Sequence, residues 1–308
     1  MKSNQLPKPI RIYQNHHLDS TYWDHYRPRD DDIIIATSYK SGTTWMQNIV
    51  LNLIFLGQEV PSVSGTSPWL AFRPSSIADR IAGLEAQTHR RVIKSHLPLD
   101  GMPFHPPVNY IVVARDPRDV FMSFWNHYSN YTDQFYQRVN GWPDLVGDPL
   151  PRSPEDLHQA WSDWIGRGWF PWESEGYPFW GNMHHTKTWW PYRNLDNILF
   201  VHFNDLLADL PAEIGRVANF LSIVVSEEAI ATISQAVSFS AVKNNLAKHY
   251  PGSQETFADG ANTFFFKGTN GRWQGVLSDE ELALYEAKAA AVLPSDCARW
   301  LEQGRMAW

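Results

Sequence analysis

The segment from Ser38 to Trp45, with the sequence SYKSGTTW, has the residue types of an anion-binding loop. It follows a short apolar run, Ile33 to Ala36, and precedes an apolar pattern with helical spacing. Backbone N–H groups at the start of a helix, together with a lysine, attract phosphate and similar anions. The order differs from the nucleotide-triphosphate loop, G-x-x-x-x-G-K-[ST], because Lys40 comes before Gly42. The sequence therefore predicts a phosphate-binding loop of another kind.

Lys94 and His96 stand at the end of a second predicted strand, just before a turn at Pro98. In open parallel sheets, ligands bind at the carboxyl ends of the strands. A histidine in that position can accept a proton near neutral pH. A structural histidine bonded to a loop carbonyl fits equally well, so position alone leaves both interpretations open.

Two further segments carry groups suited to phosphate. Arg115 follows the buried run Tyr110–Ala114, and Ser123 lies on the next predicted helix. An arginine offers a planar fork of donors to a phosphate group. The segment Phe266–Trp273 places Lys267 beside a glycine in a loop, which also suits a phosphate contact. Taken singly, each has a structural explanation: Arg115 could be a surface arginine, Ser123 could pack within its helix, and Phe266–Trp273 could be an ordinary surface loop.

The elements that must position these residues alternate between strands and helices. Strands are predicted at 33–37, 91–96, 110–114 and 198–203, with the first helix over 43–56. This alternation predicts an α/β fold with a central parallel sheet covered on both faces by helices, a three-layer α/β/α arrangement.

We expect a single domain over 1–308, because no segment has the composition of a linker. Within it, residues 1–30 form an irregular lead-in, and 130–182 form a Trp-rich insertion. Ser153, followed by Pro154, is predicted to cap a helix. Ser278 with Glu281 predicts a capping box at the last helix. Loops are predicted at 61–74 and 244–272.

Composition excludes several classes of protein. With 308 residues, 43% of them hydrophobic, the chain can bury a large core. The net charge of −7 argues against a nucleic-acid-binding surface. A single cysteine, Cys297, excludes an intramolecular disulfide. No signal peptide is recognisable, and the longest apolar run, Ile49 to Leu56, is too short to span a bilayer, so we expect a cytoplasmic protein.

Together, the four segments resemble those of the cytosolic sulfotransferases, which use 3′-phosphoadenosine 5′-phosphosulfate (PAPS). Ser38–Trp45 is similar to the family's 5′-phosphosulfate loop, and Lys94–Pro98 to its Lys-Thr-His-Leu-Pro segment. Arg115 and Ser123 keep the spacing of its 3′-phosphate segment. Phe266–Trp273 resembles its Arg-Lys-Gly-x-x-Gly-x-Trp loop. The resemblance runs in the family's order from about Asp32 to Trp273, and it implies a P-loop-like fold.

The resemblance also implies roles for individual residues. His96 would be the catalytic base, Lys40 would meet the charge that develops on the bridging oxygen of the leaving nucleotide, and Lys94 would lie beside the transferring group. The product would be adenosine 3′,5′-bisphosphate (PAP), and no metal is required. The residues implied in binding the nucleotide are Lys40, Ser41, Gly42, Thr43, Thr44, Trp45, Arg115, Ser123, Phe203, Ser238, Phe266, Lys267 and Gly268.

The sequence departs from the family pattern at several positions. Phe266 replaces the arginine that binds the 3′-phosphate, so one ionic contact is expected to be missing. Tyr39 stands where the family has proline, and Phe203 where it often has tyrosine. The family's short dimerisation motif is not recognisable, so the oligomeric state stays open.

The acceptor is predicted to be a small alcohol or phenol that is planar or apolar. Trp180 to Trp190 resembles a Trp-x-x-His-x-x-x-Trp-Trp segment of the family. Any one aromatic residue is more often part of the core than of a pocket. His184 and His185 could be metal ligands, but the sequence shows no set of Cys, His or Asp residues that would complete a metal site with them. The residues predicted for the acceptor pocket are Tyr22, Trp23, Phe72, Phe124, Trp125, Trp180 and His185.

Two other functions compete with sulfuryl transfer. A P-loop kinase or nucleotide triphosphatase needs an acidic residue to hold Mg²⁺, and none with that role is evident after the strands at 33–37 and 110–114. A nucleotide-binding protein with weak or lost catalysis would explain Phe266, whereas the presence of His96 and Lys40 argues against it.

Overall fold

A four-stranded parallel sheet lies at the centre of the computed structural model, which describes residues 6–245, 250, 252–264 and 266–307. The order across the sheet is β2-β1-β3-β4. Parallel neighbours need long crossover connections, and here helices supply them. This confirms the predicted α/β fold with helices flanking a central parallel sheet. The strands are β1 (Ile33–Thr37), β2 (Val92–Ser95), β3 (Asn109–Ala114) and β4 (Ile198–His202).

The helices cover both faces of this sheet. Short 3₁₀ segments lie at Ser20–His25, Leu99–Gly101, Trp190–Tyr192 and Gly304–Ala307. Within the described part of the chain the α-helices are α1 (Thr43–Ile54), α2 (Val63–Thr66), α3 (Ile77–Glu85), α4 (Pro117–Tyr128), α5 (Asp133–Gly141), α6 (Leu157–Gly166), α7 (Asn182–Trp189), α8 (Phe203–Ala208), α9 (Leu210–Phe220), α10 (Glu227–Ala236), α11 (Phe239–Asn244), α12 (Ser253–Thr256), α13 (Gly260–Phe264), α14 (Asp279–Val292) and α15 (Ser295–Gln303).

Successive side chains of each strand enter two separate cores. Ile34 and Ala36 of β1 pack with the aromatic residues of one layer, whereas Ile33 and Ile35 pack against aliphatic residues of the other. Side chains alternate between the faces of a strand, so both faces of β1 must be apolar. That requirement explains the unbroken apolar run before the anion-binding loop.

The structure corrects several predicted boundaries. The helix after the loop ends at Ile54, and the fourth strand ends at His202, so that Phe203 begins a helix. The prediction of Ser153 as a cap was wrong, because the Asp156 carboxylate accepts hydrogen bonds from the first turn of α6. Short helices α2, α12 and α13 interrupt the predicted loops at 61–74 and 244–272. The capping box of Ser278 and Glu281 is present at α14.

None of the helices in the described ranges is both long and apolar enough to cross a bilayer.

Candidate active site

The loop between β1 and α1 has a backbone conformation that only a few residue types adopt easily. Gly42 has φ +106°, and a Cβ there would lie 2.9 Å from the ring of Phe203. Lys40 has a positive φ of 68°. These angles turn the chain so that Thr43 and Thr44 begin α1 at the edge of a cavity. The first N–H groups of a helix lack partners within the helix, so this edge can bind an anion.

The cavity has a volume of about 470 Å³ and lies at the carboxyl ends of the strands. It brings together nearly all of the residues predicted for donor binding and catalysis. Ser41 does not line it, because its hydroxyl is buried against that of Ser38. Ser238 lies outside the lining as well and caps α11 through the Ala241 N–H. The predicted residues that line it are Lys40, Gly42, Thr43, Thr44, Trp45, Lys94, His96, Arg115, Ser123, Phe203, Phe266, Lys267 and Gly268.

His96 is held in one orientation by β1. Its Nδ1 lies 2.9 Å from the Thr37 carbonyl oxygen and 3.1 Å from the Thr37 hydroxyl. A carbonyl only accepts hydrogen bonds, so Nδ1 carries the proton and Nε2 keeps its lone pair. Burial, and then the charge of Lys94, hold the pKa of His96 well below 6.5. The imidazole is therefore neutral at neutral pH and can accept a proton at Nε2.

Lys40 and Lys94, two of the lysines that line the cavity, lie near other cationic side chains. The Nζ atom of Lys40 is 2.6 Å from Nε2 of His127, a residue of α4. Burial, followed by the nearby charges of Arg115 and Lys94, lowers the pKa of Lys40 well below its usual range. Burial lowers the pKa of Lys94 to about 8. An anion in this cavity would stabilise the charged form of both lysines.

Arg115 is fixed by the loop that contains Lys267. Its Nε and Nη2 atoms each donate a hydrogen bond of 2.8 Å, to the Asn270 side chain and to the Thr269 carbonyl. The Asp119 carboxylate accepts hydrogen bonds from the next two backbone N–H groups, those of residues 271 and 272. The loop is thereby held against α4.

Gly268 and Arg272 complete this part of the cavity. A Cβ on Gly268 would lie 2.3 Å from the Phe239 ring, and its φ is +67°. The guanidinium of Arg272 lies 4.9 Å from the centre of the Phe266 ring, and Arg272 lines the cavity. It was not among the residues predicted from the sequence, since it occupies a variable position of the motif.

Asp116, which follows β3, is the acidic residue that a metal-dependent mechanism could use. Its carboxylate caps α4 at the Arg118 N–H and pairs with the Arg118 guanidinium. The part of the chain that the structure describes contains no group of three or more residues placed to hold a metal ion.

Most of the residues predicted for the acceptor pocket lie away from the cavity. Of the seven predicted residues, only Phe72 lines the cavity. The Trp180 ring is near, 5.9 Å from that of His96, but does not line the cavity. The others serve different contacts: Tyr22 lies under the Arg80 guanidinium, while Trp23, Phe124, Trp125 and His185 pack in the aromatic layer or in α7.

Other side chains complete the lining of the cavity. Aromatic runs in a sequence do not distinguish a core ring from a pocket ring, because both are mostly buried. The residues of the cavity wall that the sequence did not single out for this role include His17, Tyr39, Trp69, His127, Tyr131, Phe135 and Arg138.

Comparison with known proteins identifies the family. The sequence profile of the sulfotransferase domain matches residues 30–287. The chain belongs to the sulfotransferase family. It is 30% identical to the glycolipid sulfotransferase of Mycobacterium tuberculosis, over 96% of this chain and 94% of that protein. It is 28% identical to human sulfotransferase 1E1, covering 82% of this chain and 81% of the relative.

Solved structures agree with the fold of this sulfotransferase. A mouse sulfotransferase complexed with PAP superimposes with a TM-score of 0.69 at 21% identity, covering 92% of both chains. A retinol dehydratase in complex with androsterone and PAP gives a TM-score of 0.70 at 25% identity, covering 89% of this chain and 84% of that one. The predicted family, enzyme class and P-loop-like fold are confirmed.

Proposed function

We propose that this sulfotransferase moves a sulfuryl group from PAPS to a hydroxyl of a small aromatic or apolar acceptor, with His96 as general base. One observation carries the proposal: the free Nε2 of His96 lines the same cavity as the anion-binding loop at Lys40. The relatives with bound PAP support PAPS as the donor and PAP as the product.

The cavity residues fit such a donor. Gly42 and Gly268 have positive φ values and no Cβ, so the two loops can turn at the cavity while packing closely against the rings of Phe203 and Phe239. The loop at Lys40 would hold the 5′-phosphosulfate, and Arg115 with Lys267 would hold the 3′-phosphate. The rings of Trp45 and Phe203, whose centres are 5.3 Å apart, would hold the adenine. Ser123 lies in the same cavity and offers a hydroxyl to the 3′-phosphate.

When bound, PAPS supplies an activated sulfuryl group. His96 Nε2 takes the proton of the acceptor hydroxyl as its oxygen attacks sulfur in line with the leaving oxygen. Thr37 holds the imidazole in the tautomer that allows this. Lys40 leaves His127 and compensates the charge that develops on the leaving phosphate. Lys94 lies beside the transferring group and stabilises its oxygens.

The wall of the cavity supports an apolar acceptor. Rings of Trp69, Phe72, Tyr131 and Phe135 line it beside His96. Relatives act on or bind glycolipid, retinol and androsterone, all of which combine a hydroxyl with a large apolar body. The cytoplasmic location, the single domain and the individual site residues stay predictions.

A sulfate-transfer assay with PAPS and a panel of phenols and apolar alcohols tests this function. We expect turnover with several members of the panel. Binding of PAP in preference to ATP, measured by calorimetry, separates the proposal from a kinase or triphosphatase. Binding of PAP without transfer to any acceptor would favour the non-catalytic alternative.

PAP binding is expected to take up protons at mildly alkaline pH. In the free protein, the pKa of Lys40 is well below its usual range because of burial and neighbouring cations. Phosphate groups favour the ammonium form, so binding raises this pKa, and affinity falls as the pH rises through the free-state pKa. Calorimetry at about pH 8 in buffers of different ionisation enthalpy measures the uptake. The Lys40→Met variant should lose part of this uptake, and the rest comes from Lys94, whose pKa burial lowers to about 8. An uptake that is unchanged in this variant contradicts the assignment of Lys40.

Arg272→Ala is expected to weaken PAP binding by about tenfold or more, since one charge-assisted contact to the 3′-phosphate is lost. Arg272 supplies a cation beside Phe266, where the family pattern has an arginine. Calorimetry should show almost no change for adenosine 5′-phosphate, which lacks that phosphate. Arg152→Ala, an exposed arginine outside the cavity, is the control. An equal loss for both nucleotides would mean that Arg272 acts through the fold of the loop.

A further inference from the structure

His17 has a nitrogen without a partner in the wall of the acceptor cavity. The residue is 1% exposed and lines the cavity. Its Nε2 atom is buried and makes no hydrogen bond. A buried polar atom without a partner is costly and rare, so it indicates a place where another molecule completes the bonding.

The hydrogen bonds of His16 determine which nitrogen of His17 carries the proton. His16 Nε2 lies 2.8 Å from the Pro178 carbonyl oxygen, which can only accept, so this nitrogen is protonated. In the neutral ring, His16 Nδ1 is then an acceptor. It lies 2.5 Å from His17 Nδ1, which must therefore donate. Burial lowers the pKa of both rings, in agreement with two neutral imidazoles. The free Nε2 of His17 is thus a hydrogen-bond acceptor.

His17 and His96 belong to the same cavity. The rings of both approach the Trp180 ring, at 6.4 Å and 5.9 Å between centres. Around His17 the wall is aromatic, with Phe72 and Phe135 at 6.1 Å and 5.5 Å. An acceptor that lies along these rings with one hydroxyl at His96 can present a second group to His17.

Arg138 adds a donor beside the same two aromatic rings. Its guanidinium lies 5.9 Å and 5.4 Å from the centres of the Phe72 and Phe135 rings, the same two rings that flank His17. Its Nε–H is buried without a partner, and the residue lines the cavity. The cavity wall around Phe72 and Phe135 therefore holds an acceptor on His17 and a donor on Arg138.

A hydroxyl group can satisfy both, because it donates one hydrogen bond and accepts others. A carboxylate would satisfy Arg138 but would meet the lone pair of His17. A purely apolar end would leave both buried groups without partners, which lowers affinity. We propose that His17 and Arg138 recognise a second hydroxyl of the acceptor, so that the enzyme prefers apolar diols and bisphenols over the matching mono-ols. This inference rests on the proposed function of the cavity.

Matched acceptors test the inference. One series pairs each diol with its mono-ol: hydroquinone with phenol, 4,4′-dihydroxybiphenyl with 4-phenylphenol, and estradiol with 17-deoxyestradiol. A third biphenyl carries a carboxylate in place of the second hydroxyl. We expect kcat/KM to favour the diol by about tenfold or more in at least one pair, after correction for equivalent hydroxyls, mainly through KM. The carboxylate should be no better than the mono-ol. No preference in any pair, or a preferred carboxylate, overturns the inference.

Substitutions at His17 and Arg138 test whether these two residues cause the preference for diols over mono-ols. His17→Phe and Arg138→Met should each reduce the ratio of kcat/KM for diol and mono-ol towards one. Phe72→Leu, which changes the same wall without a polar group, should lower both values and keep the ratio. PAP affinity is measured for every variant to establish that it folds. If His17→Phe does not fold, the ratio measured for Arg138→Met decides whether the inference holds. A ratio that survives in Arg138→Met and in every folded His17 variant overturns the inference. Loss of PAP binding or of all transfer in the unsubstituted enzyme would instead contradict the proposed function.

Discussion

His96→Ala is expected to lower turnover by at least ~10²-fold while PAP binding is retained. The reason is that Nε2 of His96 is a free lone pair on a neutral ring, held by the Thr37 carbonyl, and alanine removes the base without removing a contact to the nucleotide. Single-turnover sulfate transfer measures the chemical step, and calorimetry with PAP measures binding. Because the pKa of His96 lies well below 6.5, the base stays neutral as the pH falls to 6.5, and its protonation should reduce kcat/KM only below that value.

His158→Ala is the matched control, since His158 is exposed and lies outside the cavity. It should change neither turnover nor PAP affinity. Added imidazole should restore part of the activity of His96→Ala if the lost group is a base. Turnover of His96→Ala close to that of the unsubstituted enzyme would show that another group accepts the proton.

Lys40→Ala is expected to lose both activity and nucleotide affinity. Turnover should fall by about 10²-fold or more, because a cation at the leaving oxygen acts most strongly in the transition state. PAP affinity should fall by about tenfold or more, since a charge-assisted contact to phosphate disappears. Loss of both turnover and PAP affinity distinguishes the role of Lys40 from that of His96, because substitution of His96 should affect turnover alone. Calorimetry and the same single-turnover assay measure the two effects.

Lys288→Ala is the control for Lys40→Ala, because it removes the charge of a lysine that lies outside the cavity. Lys288 bonds to the Ser174 carbonyl at the surface and does not line the cavity. Its loss should leave both measurements unchanged. If Lys40→Ala binds PAP with unchanged affinity, then the loop is not the phosphate site, and the position of Lys40 against His127 would have to be explained as a structural contact.

That the predicted donor-binding residues would lie close together could be predicted from the sequence, because their signals are local. The loop at Lys40, the strand end at His96 and the Arg115 to Ser123 segment each lie within a few residues of a strand. Parallel strands bring their carboxyl ends to one edge, so separate motifs must meet there. Lys40, His96 and Arg115 do line one cavity in the structure. Ser41 and Ser238 do not, since each hydroxyl is used within its own turn.

The acceptor side could not be predicted in the same way. Its wall is assembled from the lead-in, from α4 and α5, and from the segment around Phe257, which are far apart in the chain. Trp23 and Phe124 have the same residue types as Trp69 and Phe135, and all four pack in the aromatic core, yet only Trp69 and Phe135 line the cavity. Burial favours all of them equally, so residue type carries no information about which side of the wall a ring faces.

The sequence by itself determined the fold class, the family and the clustering of the predicted donor-side residues, because strand pattern and short motifs encode them locally. Only the tertiary structure decided which groups surround the acceptor. It placed His127 against Lys40, Arg272 beside Phe266, and His17, with its unpartnered Nε2, in the cavity wall. These contacts depend on the packing of elements distant in the chain, where the free energy of burying many side chains together fixes the position of each one.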